Sequence, residues 1–87
     1  MNNMAEQISE VDTIVISLSE IQDDGTVPRN VRTHIQDIIS TLKNETELSI
    51  KVNKALNTLG EIANDVNLQS YTRTQIWNIM SILEKLH

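Results

Sequence analysis

The chain has 87 residues, 39% of them hydrophobic and 2% aromatic, which suits one small domain with an aliphatic core. Twelve acidic and seven basic residues give a net charge of -5, and no basic run forms the patch that nucleic-acid binding usually requires. The absence of cysteine excludes disulfides and thiolate metal sites, and no apolar run approaches the roughly 20 residues of a membrane span, so we expect a cytoplasmic protein without a membrane segment.

The first predicted element is an amphipathic helix from Met4 to Ile21. Its apolar residues recur at steps of three and four, which places them on one face of a helix. They are Met4, Ile8, Val11, Ile14, Val15, Leu18 and Ile21. The β-branched residues 13–16 favour a strand locally, but a strand would interrupt the helical spacing on both sides. We therefore predict a continuous helix.

A turn at residues 23–28 separates this helix from the second. Gly25 permits the left-handed backbone that ends many helices, and Pro28 suits the first turn of the following helix. The second helix is predicted to stop near Lys43. Its inward residues are Val31, Ile35, Ile38, Ile39 and Leu42.

The third helix is predicted to begin at a side-chain cap, formed by Asn44 with Glu47 or by Thr46 with Ser49. Its apolar residues are Leu48, Val52, Ala55, Leu56, Leu59, Ile62 and Ala63. Gly60 lies inside this helix, where glycine is unfavourable by up to about 1 kcal/mol relative to alanine. A close crossing with a neighbouring helix would explain it.

A second loop at residues 64–69 leads to the fourth helix, which opens near Ser70. This loop lacks both glycine and proline, and Asn64 or Asn67 can tolerate the positive φ predicted for Gly25 in the first loop. The residues of the fourth helix that are predicted to point inward are Ile76, Ile79, Met80, Leu83 and Leu86.

The two halves of the chain repeat each other. Residues 18–42 and 59–83 align without a gap at an offset of 41, and ten of the 25 positions are identical. The identical pairs are Leu18/Leu59, Glu20/Glu61, Ile21/Ile62, Asp24/Asp65, Arg32/Arg73, Thr33/Thr74, Ile35/Ile76, Ile38/Ile79, Ser40/Ser81 and Leu42/Leu83. We interpret residues 11–42 and 52–83 as a duplicated helical hairpin.

These elements predict an all-α fold in one domain spanning residues 1–87. Short connections favour antiparallel neighbours, hence an antiparallel four-helix up-and-down bundle made of two duplicated hairpins. The 41-residue period also fits a helical solenoid of HEAT type, but such arrays normally need three or more units. The bundle is the preferred prediction.

The block SYTRTQIWNI at residues 70–79, preceded by LGEIA at 59–63, resembles a family of small uncharacterised archaeal proteins. The segment DDGTVPRNVR at 23–32 is similar to the first hairpin loop of that family. Gln69 departs from the pattern, where a proline is expected, and this loosens only the start of the fourth helix. The resemblance implies a four-helix bundle and supplies no activity, cofactor or catalytic residue.

A polar set occurs in both hairpins and predicts a structural clamp. Its members are Glu20, Asp24 and Arg32 in the first hairpin and Glu61, Asp65 and Arg73 in the second. An arginine fork can hold a carboxylate with two parallel hydrogen bonds and so fix a loop. The functional alternative is a ligand carboxylate or phosphate held by Arg32 or Arg73.

The fourth helix also carries residues that its first copy lacks. Trp77 corresponds to Gln36, and tryptophan and arginine are enriched at the energetic centres of interfaces. We therefore predict an interaction surface around Tyr71, Arg73, Trp77 and Glu84. The alternative is that Trp77 covers the edge of the bundle and fills a gap that Gln36 leaves.

No motif indicates an enzyme, a metal site or a cofactor. The only Glu-x-x-His spacing joins Glu84 to His87, and His34 has no second histidine near it. Neither histidine is placed by a motif beside a nucleophile, and two glycines form no phosphate-binding loop. The prediction is a non-catalytic protein-interaction or self-associating module, with an unidentified protein partner or a homodimer. The alternatives are a nucleic-acid or ribosome-associated protein, and a HEAT-like two-repeat adaptor.

Overall fold

Four α-helices follow one another in the computed structural model, which describes the backbone of residues 4–86 and the side chains of residues 10–86. They are α1 (Met4–Gln22), α2 (Arg29–Lys43), α3 (Leu48–Ala63) and α4 (Ser70–Leu83). No strand occurs in the described part of the chain, and residues 13–16 continue α1. The three-and-four spacing therefore outweighs the local β-propensity of those residues.

The helices form a closed ring. Each helix packs against the next in the chain, and α1 also packs against α4, which closes the bundle. The connections are short, so that neighbouring helices run antiparallel in a body of 39 × 22 × 20 Å. This arrangement confirms the predicted all-α up-and-down bundle, and contact between the first and last helices excludes the open HEAT-type solenoid.

The core is almost purely aliphatic and lies along the bundle axis. The side chains predicted to point inward are buried in all four helices, with Val15, Leu48, Leu56 and Met80 partly buried at the margin. The largest buried members are Ile14, Leu18, Ile21, Ile35, Ile38, Leu42, Leu59, Ile76, Leu83 and Leu86. Met4 and Ile8 carry side chains outside the described residues. Val27 and Leu68 lie in the two repeated loops and close one end of the core.

Both repeated loops turn without a positive φ angle. The described residues include no glycine or other residue with positive φ, so the predicted left-handed roles of Gly25, Asn64 and Asn67 are wrong. An aspartate side chain supplies the turn instead. Asp24 Oδ1 accepts the backbone N–H of Thr26 at 2.9 Å and its hydroxyl at 2.7 Å. In the second loop Asp65 Oδ1 accepts the N–H of Asn67 at 2.8 Å. These are Asx turns, in which a carboxylate replaces a backbone acceptor.

The helix starts also differ from prediction. The N-cap of α3 is Glu47, and no side chain caps α2, α3 or α4 by a hydrogen bond. The proposed capping boxes at Asn44 and Thr46 are therefore wrong. Lys51 instead ties the turn before α3, where its Nζ donates to the carbonyl oxygen of Asn44 at 3.1 Å.

Gly60 does not enforce a close helix crossing. A Cβ atom built at Gly60 would lie 3.8 Å from Met80 Cε, which is an ordinary van der Waals contact. At Gly25 such an atom would meet nothing within 4 Å. Both positions therefore have room for alanine.

We predict that Gly25→Ala and Gly60→Ala each raise the free energy of unfolding. The gain should be about 0.4–1 kcal/mol at Gly25, because alanine restricts the unfolded chain, and up to about 1 kcal/mol at Gly60, because alanine favours helix. Urea unfolding followed by circular dichroism measures both. A loss of stability at Gly25 would show that its backbone needs glycine after all.

Candidate functional site

The two repeated loops lie side by side at one end of the bundle. Asn30 Nδ2 in the first turn of α2 donates to Asp65 Oδ2 in the second loop at 2.9 Å. The two oxygens of the Asp65 carboxylate thus serve different purposes, one turning its own loop and the other joining the two hairpins. Asn30 corresponds to Tyr71 in the second copy, and tyrosine has no amide group. The equivalent amide bridge from the second hairpin to Asp24 therefore does not form.

Hydrogen bonds hold both loop carboxylates in their charged form. The Asn30 amide and the N–H of Asn67 lower the pKa of Asp65 below its ordinary value, with a smaller contribution from the charge of Arg73. The hydroxyl and N–H of Thr26 similarly lower the pKa of Asp24. In both loops the direct hydrogen bonds act more strongly than the arginine charge.

Arg73 holds the second loop through its backbone. Its Nε donates to the carbonyl oxygen of Ala63 at 2.8 Å, and one terminal nitrogen donates to those of Asp65 at 3.0 Å and Leu68 at 3.3 Å. One half-buried guanidinium therefore satisfies three carbonyl groups between the end of α3 and the start of α4. These groups belong to the part of a helix connection that lacks helical partners.

This arrangement differs from the predicted clamp. The acceptors of Arg73 are carbonyl oxygens and not the carboxylates of Glu61 or Asp65. Glu20 and Glu61 are exposed and make no hydrogen bond to the arginine of their own hairpin. Comparison of the two copies identified the polar residues that both contain. It could not identify backbone carbonyl acceptors, because every residue has a carbonyl group.

The aromatic residues of the interaction surface predicted on α4 lie at opposite edges of the outer face of the helix. Trp77 is 53% exposed and Tyr71 71% exposed, and Glu84 is exposed too. However, the two aromatics are six positions apart in the sequence, which places them about 120° apart around the helix. Arg73 is half-buried with its donors engaged by the loop. Trp77 therefore lies on one flank of the outer face and Tyr71 on the other.

The residues between these aromatics define a continuous outer face of α4 without charge. Every exposed residue of this helix is uncharged, and we call this set the α4 face. It comprises Ser70, Tyr71, Thr74, Trp77, Asn78, Ser81 and Ile82. Two of its hydroxyl groups donate hydrogen bonds to backbone carbonyl oxygens of the same helix. Thr74 Oγ1 donates to Ser70 O and Ser81 Oγ donates to Trp77 O, both at 3.1 Å.

Sequence reasoning missed most of the α4 face. It compared positions between the copies and so selected Trp77 and Tyr71, but passed over the small polar residues that connect them. A signal was present, because Arg73 is the one charged residue in the 14 residues of α4. A charge count for each predicted helix would have identified this face.

The arginines relevant to nucleic-acid binding do not share a face. Arg29 and Arg32 line a groove between α1 and α2 together with Asp23 and Asp37. Arg73 belongs to α4, which does not pack against α2 in the described residues, and its guanidinium is engaged by the second loop. That part of the chain also contains no group of three His, Asp or Glu side chains arranged for a metal, and His87 lies outside it. No described helix is both long and apolar enough to cross a bilayer.

The fold and this surface define a small four-helix bundle with a neutral, aromatic-bearing helix face. The chain belongs to the uncharacterised protein family UPF0147, whose family model matches residues 1–86. The sequence resemblance to an archaeal family is thereby confirmed.

Relatives in several archaea have similar sequences. A UPF0147 protein of Methanosarcina mazei is 41% identical over 79% of this chain and 75% of its own length. One from Archaeoglobus fulgidus is 36% identical over 99% and 97% of the two chains. A crystal structure of a UPF0147 protein from Thermoplasma acidophilum has a TM-score of 0.85 at 36% identity, covering 91% of this chain and 94% of that one. A second crystal structure, of the unknown-function protein MMP1188, has a TM-score of 0.84 at 40% identity and covers 87% of this chain and 88% of that one.

We predict that Arg73→Ala lowers the free energy of unfolding by about 2–4 kcal/mol, because three carbonyl groups lose a charged donor. Arg73→Lys should recover only part of this loss, since an ammonium group cannot reproduce the planar fork. Denaturant unfolding measures both. Arg29→Ala, at an exposed position, serves as the control. An Arg73→Ala variant as stable as wild type would contradict a structural role for this residue.

The Asp65 carboxylate should make stability depend on pH in the acid range. Because the folded pKa lies below the ordinary value of 3.8, its contribution is present at neutral pH and is lost as the pH falls through the folded pKa. We therefore expect Asp65→Asn to be less stable than wild type at pH 7, and the difference to shrink below about pH 4. Urea unfolding across this range, with Asp37→Asn as control, tests the prediction. A difference that does not change with pH would contradict it.

Proposed function

We propose that this protein is a non-catalytic protein-binding module and that the α4 face is its docking surface. One observation carries the proposal: Tyr71, Trp77 and Ile82 are exposed on a helix face that has no charged residue. The centres of protein interfaces are depleted in charge and enriched in aromatic residues. Covering this face with a partner therefore removes no charged side chain of the face from water.

The shape of the α4 face favours a helix as the bound element. Thr74 and Ser81 are seven positions apart in the sequence and so lie nearly in line along the middle of the face. Trp77 lies on one side of this line, and Tyr71 and Ile82 lie on the other. Small residues between larger flanks allow a second helix to approach closely, with its apolar residues between the two aromatics.

The internal hydrogen bonds of the face support the same proposal. The hydroxyls of Thr74 and Ser81 donate to carbonyl oxygens of their own helix. They therefore keep a partner when an apolar surface covers them, which avoids the penalty of burying an unpaired donor. A docking surface can therefore contain polar residues and still exclude water when a partner is bound.

A protein partner suits the charges better than nucleic acid. The net charge is -5, and the Arg73 guanidinium on α4 is engaged by the loop backbone. A nucleic-acid site would need several arginines or lysines free to contact phosphates on one surface. We therefore propose a protein, either another chain with an apolar helix or a second copy of this one.

The test combines self-association with partner capture, using variants chosen from the repeat. Trp77→Gln installs the residue that occupies the equivalent position in α2, and Ser81→Lys places a charge in the centre of the α4 face. Ser40→Lys is the matched control, because Ser40 is the exposed equivalent of Ser81. Light scattering after size exclusion reports a dimer, and affinity capture from an archaeal extract reports other partners.

We expect the dimer or the captured partner to be lost in Trp77→Gln and Ser81→Lys and kept in Ser40→Lys. In the free monomer Trp77 should emit at long wavelength and be quenched by acrylamide, and binding should reduce the quenching. A monomeric wild type that captures the same proteins as both α4 variants would overturn the proposal.

A further inference from the structure

Arg32 and Arg73 occupy equivalent positions after loops that are folded alike. In the first loop Val27 N donates to Asp24 O at 3.1 Å, and in the second Leu68 N donates to Asp65 O at 3.2 Å. The helix that follows begins with the same bond in each copy, from the arginine N–H to Pro28 O or Gln69 O, both at 3.0 Å. The backbone around the two arginines therefore makes the same hydrogen bonds in both copies.

Their side chains are nevertheless used differently. Arg73 donates three hydrogen bonds to the loop backbone, whereas no such bond joins Arg32 to the equivalent carbonyl oxygens of the first loop. Arg32 Nε is buried and has no hydrogen-bond partner. Buried polar groups are nearly always paired, and an unpaired donor on a charged group is rare. The hydrogen-bonding capacity of this donor is therefore not used within the described residues.

Arg32 lines an open groove of about 540 Å³ between α1 and α2. Arg29 stands in the same groove, and so do uncharged groups that can donate hydrogen bonds. The remaining lining residues are Gln22, Asp23, Thr33, Gln36 and Asp37. Gln22 and Gln36 are hydrogen-bonded to each other across the two helices. Two cations and two carboxylates make the groove locally neutral.

We propose that this groove binds a single carboxylate carried by a protein segment, with Arg32 and Arg29 as its cationic partners. The planar guanidinium matches the two oxygens of a carboxylate. Asp23 and Asp37 repel further negative charge, which disfavours a phosphate dianion more than a carboxylate monoanion. They also favour a carboxylate with a basic neighbour. The groove is distinct from the α4 face, because none of its lining residues belongs to α4.

Nuclear magnetic resonance of the arginine side chains tests the proposal on the intact chain. The Nε–H signals of Arg32 and Arg73 are followed while sodium acetate, N-acetylglycine or inorganic phosphate is added at constant ionic strength with sodium chloride. Acetate represents a side-chain carboxylate and N-acetylglycine a chain terminus. Arg73 is an internal control, since its Nε–H is already bound to Ala63 O.

We expect a saturable shift of the Arg32 signal with one or both carboxylates, at least several-fold weaker binding of phosphate, and no change at Arg73. Arg29→Gln should weaken carboxylate binding several-fold, and Arg32→Lys should weaken it more. The absence of a saturable shift, or tighter binding of phosphate, would overturn the proposal. Carboxylate binding that Arg29→Gln and Arg32→Lys leave unchanged would also overturn it.

Stability of the variants supplies a second measurement. Under the proposal Arg32→Ala should change the melting temperature much less than Arg73→Ala, because Arg32 makes no internal hydrogen bond through its guanidinium. An equal loss in the two variants would mean that Arg32 holds its own loop in solution as Arg73 does. That result would overturn the assignment of Arg32 to an external carboxylate.

Discussion

The position of α4, and therefore of its outer face, depends on how the second loop satisfies its backbone. Three carbonyl oxygens between α3 and α4 accept hydrogen bonds from Arg73, and the Asp65 carboxylate turns the chain below them. Leu68 follows directly and is buried in the core. One guanidinium and one carboxylate thus hold the loop that leads into α4, and this loop contains no glycine or proline.

The two hairpins share these folding constraints and differ where folding leaves a choice. Asp24 and Asp65 turn their loops in the same manner, although Gly25 in one copy corresponds to Val66 in the other. Val66 is 91% exposed, so the position makes no demand on the side chain. On the outer faces of α2 and α4 the two copies share only Thr33/Thr74 and Ser40/Ser81, and the other positions have diverged. Gln36 pairs with Gln22, whereas its counterpart Trp77 stands in solvent.

Sequence patterns predicted the helices and the core because both depend on the spacing of apolar side chains. They failed at the loops, where the deciding groups are backbone atoms. Gly25 suggested a left-handed turn, yet the Asp24 carboxylate makes the turn with negative φ. Arg73 was correctly selected as a repeated residue, but its carbonyl partners could not be read from residue types. The Asn30 to Asp65 bridge joins different positions of the two copies, so comparing them could not reveal it.

The distribution of charge restricts which surface can approach another protein closely. Residues 1–28 contain six of the twelve acidic residues and none of the seven basic ones, so the net negative charge comes from α1 and the loop that follows it. Two copies meeting through α1 would oppose like charges, and only a basic partner would be favoured there. The α4 face carries no formal charge and meets no such repulsion. Docking through this face, as proposed above, would therefore depend on aromatic contact and shape and not on charge.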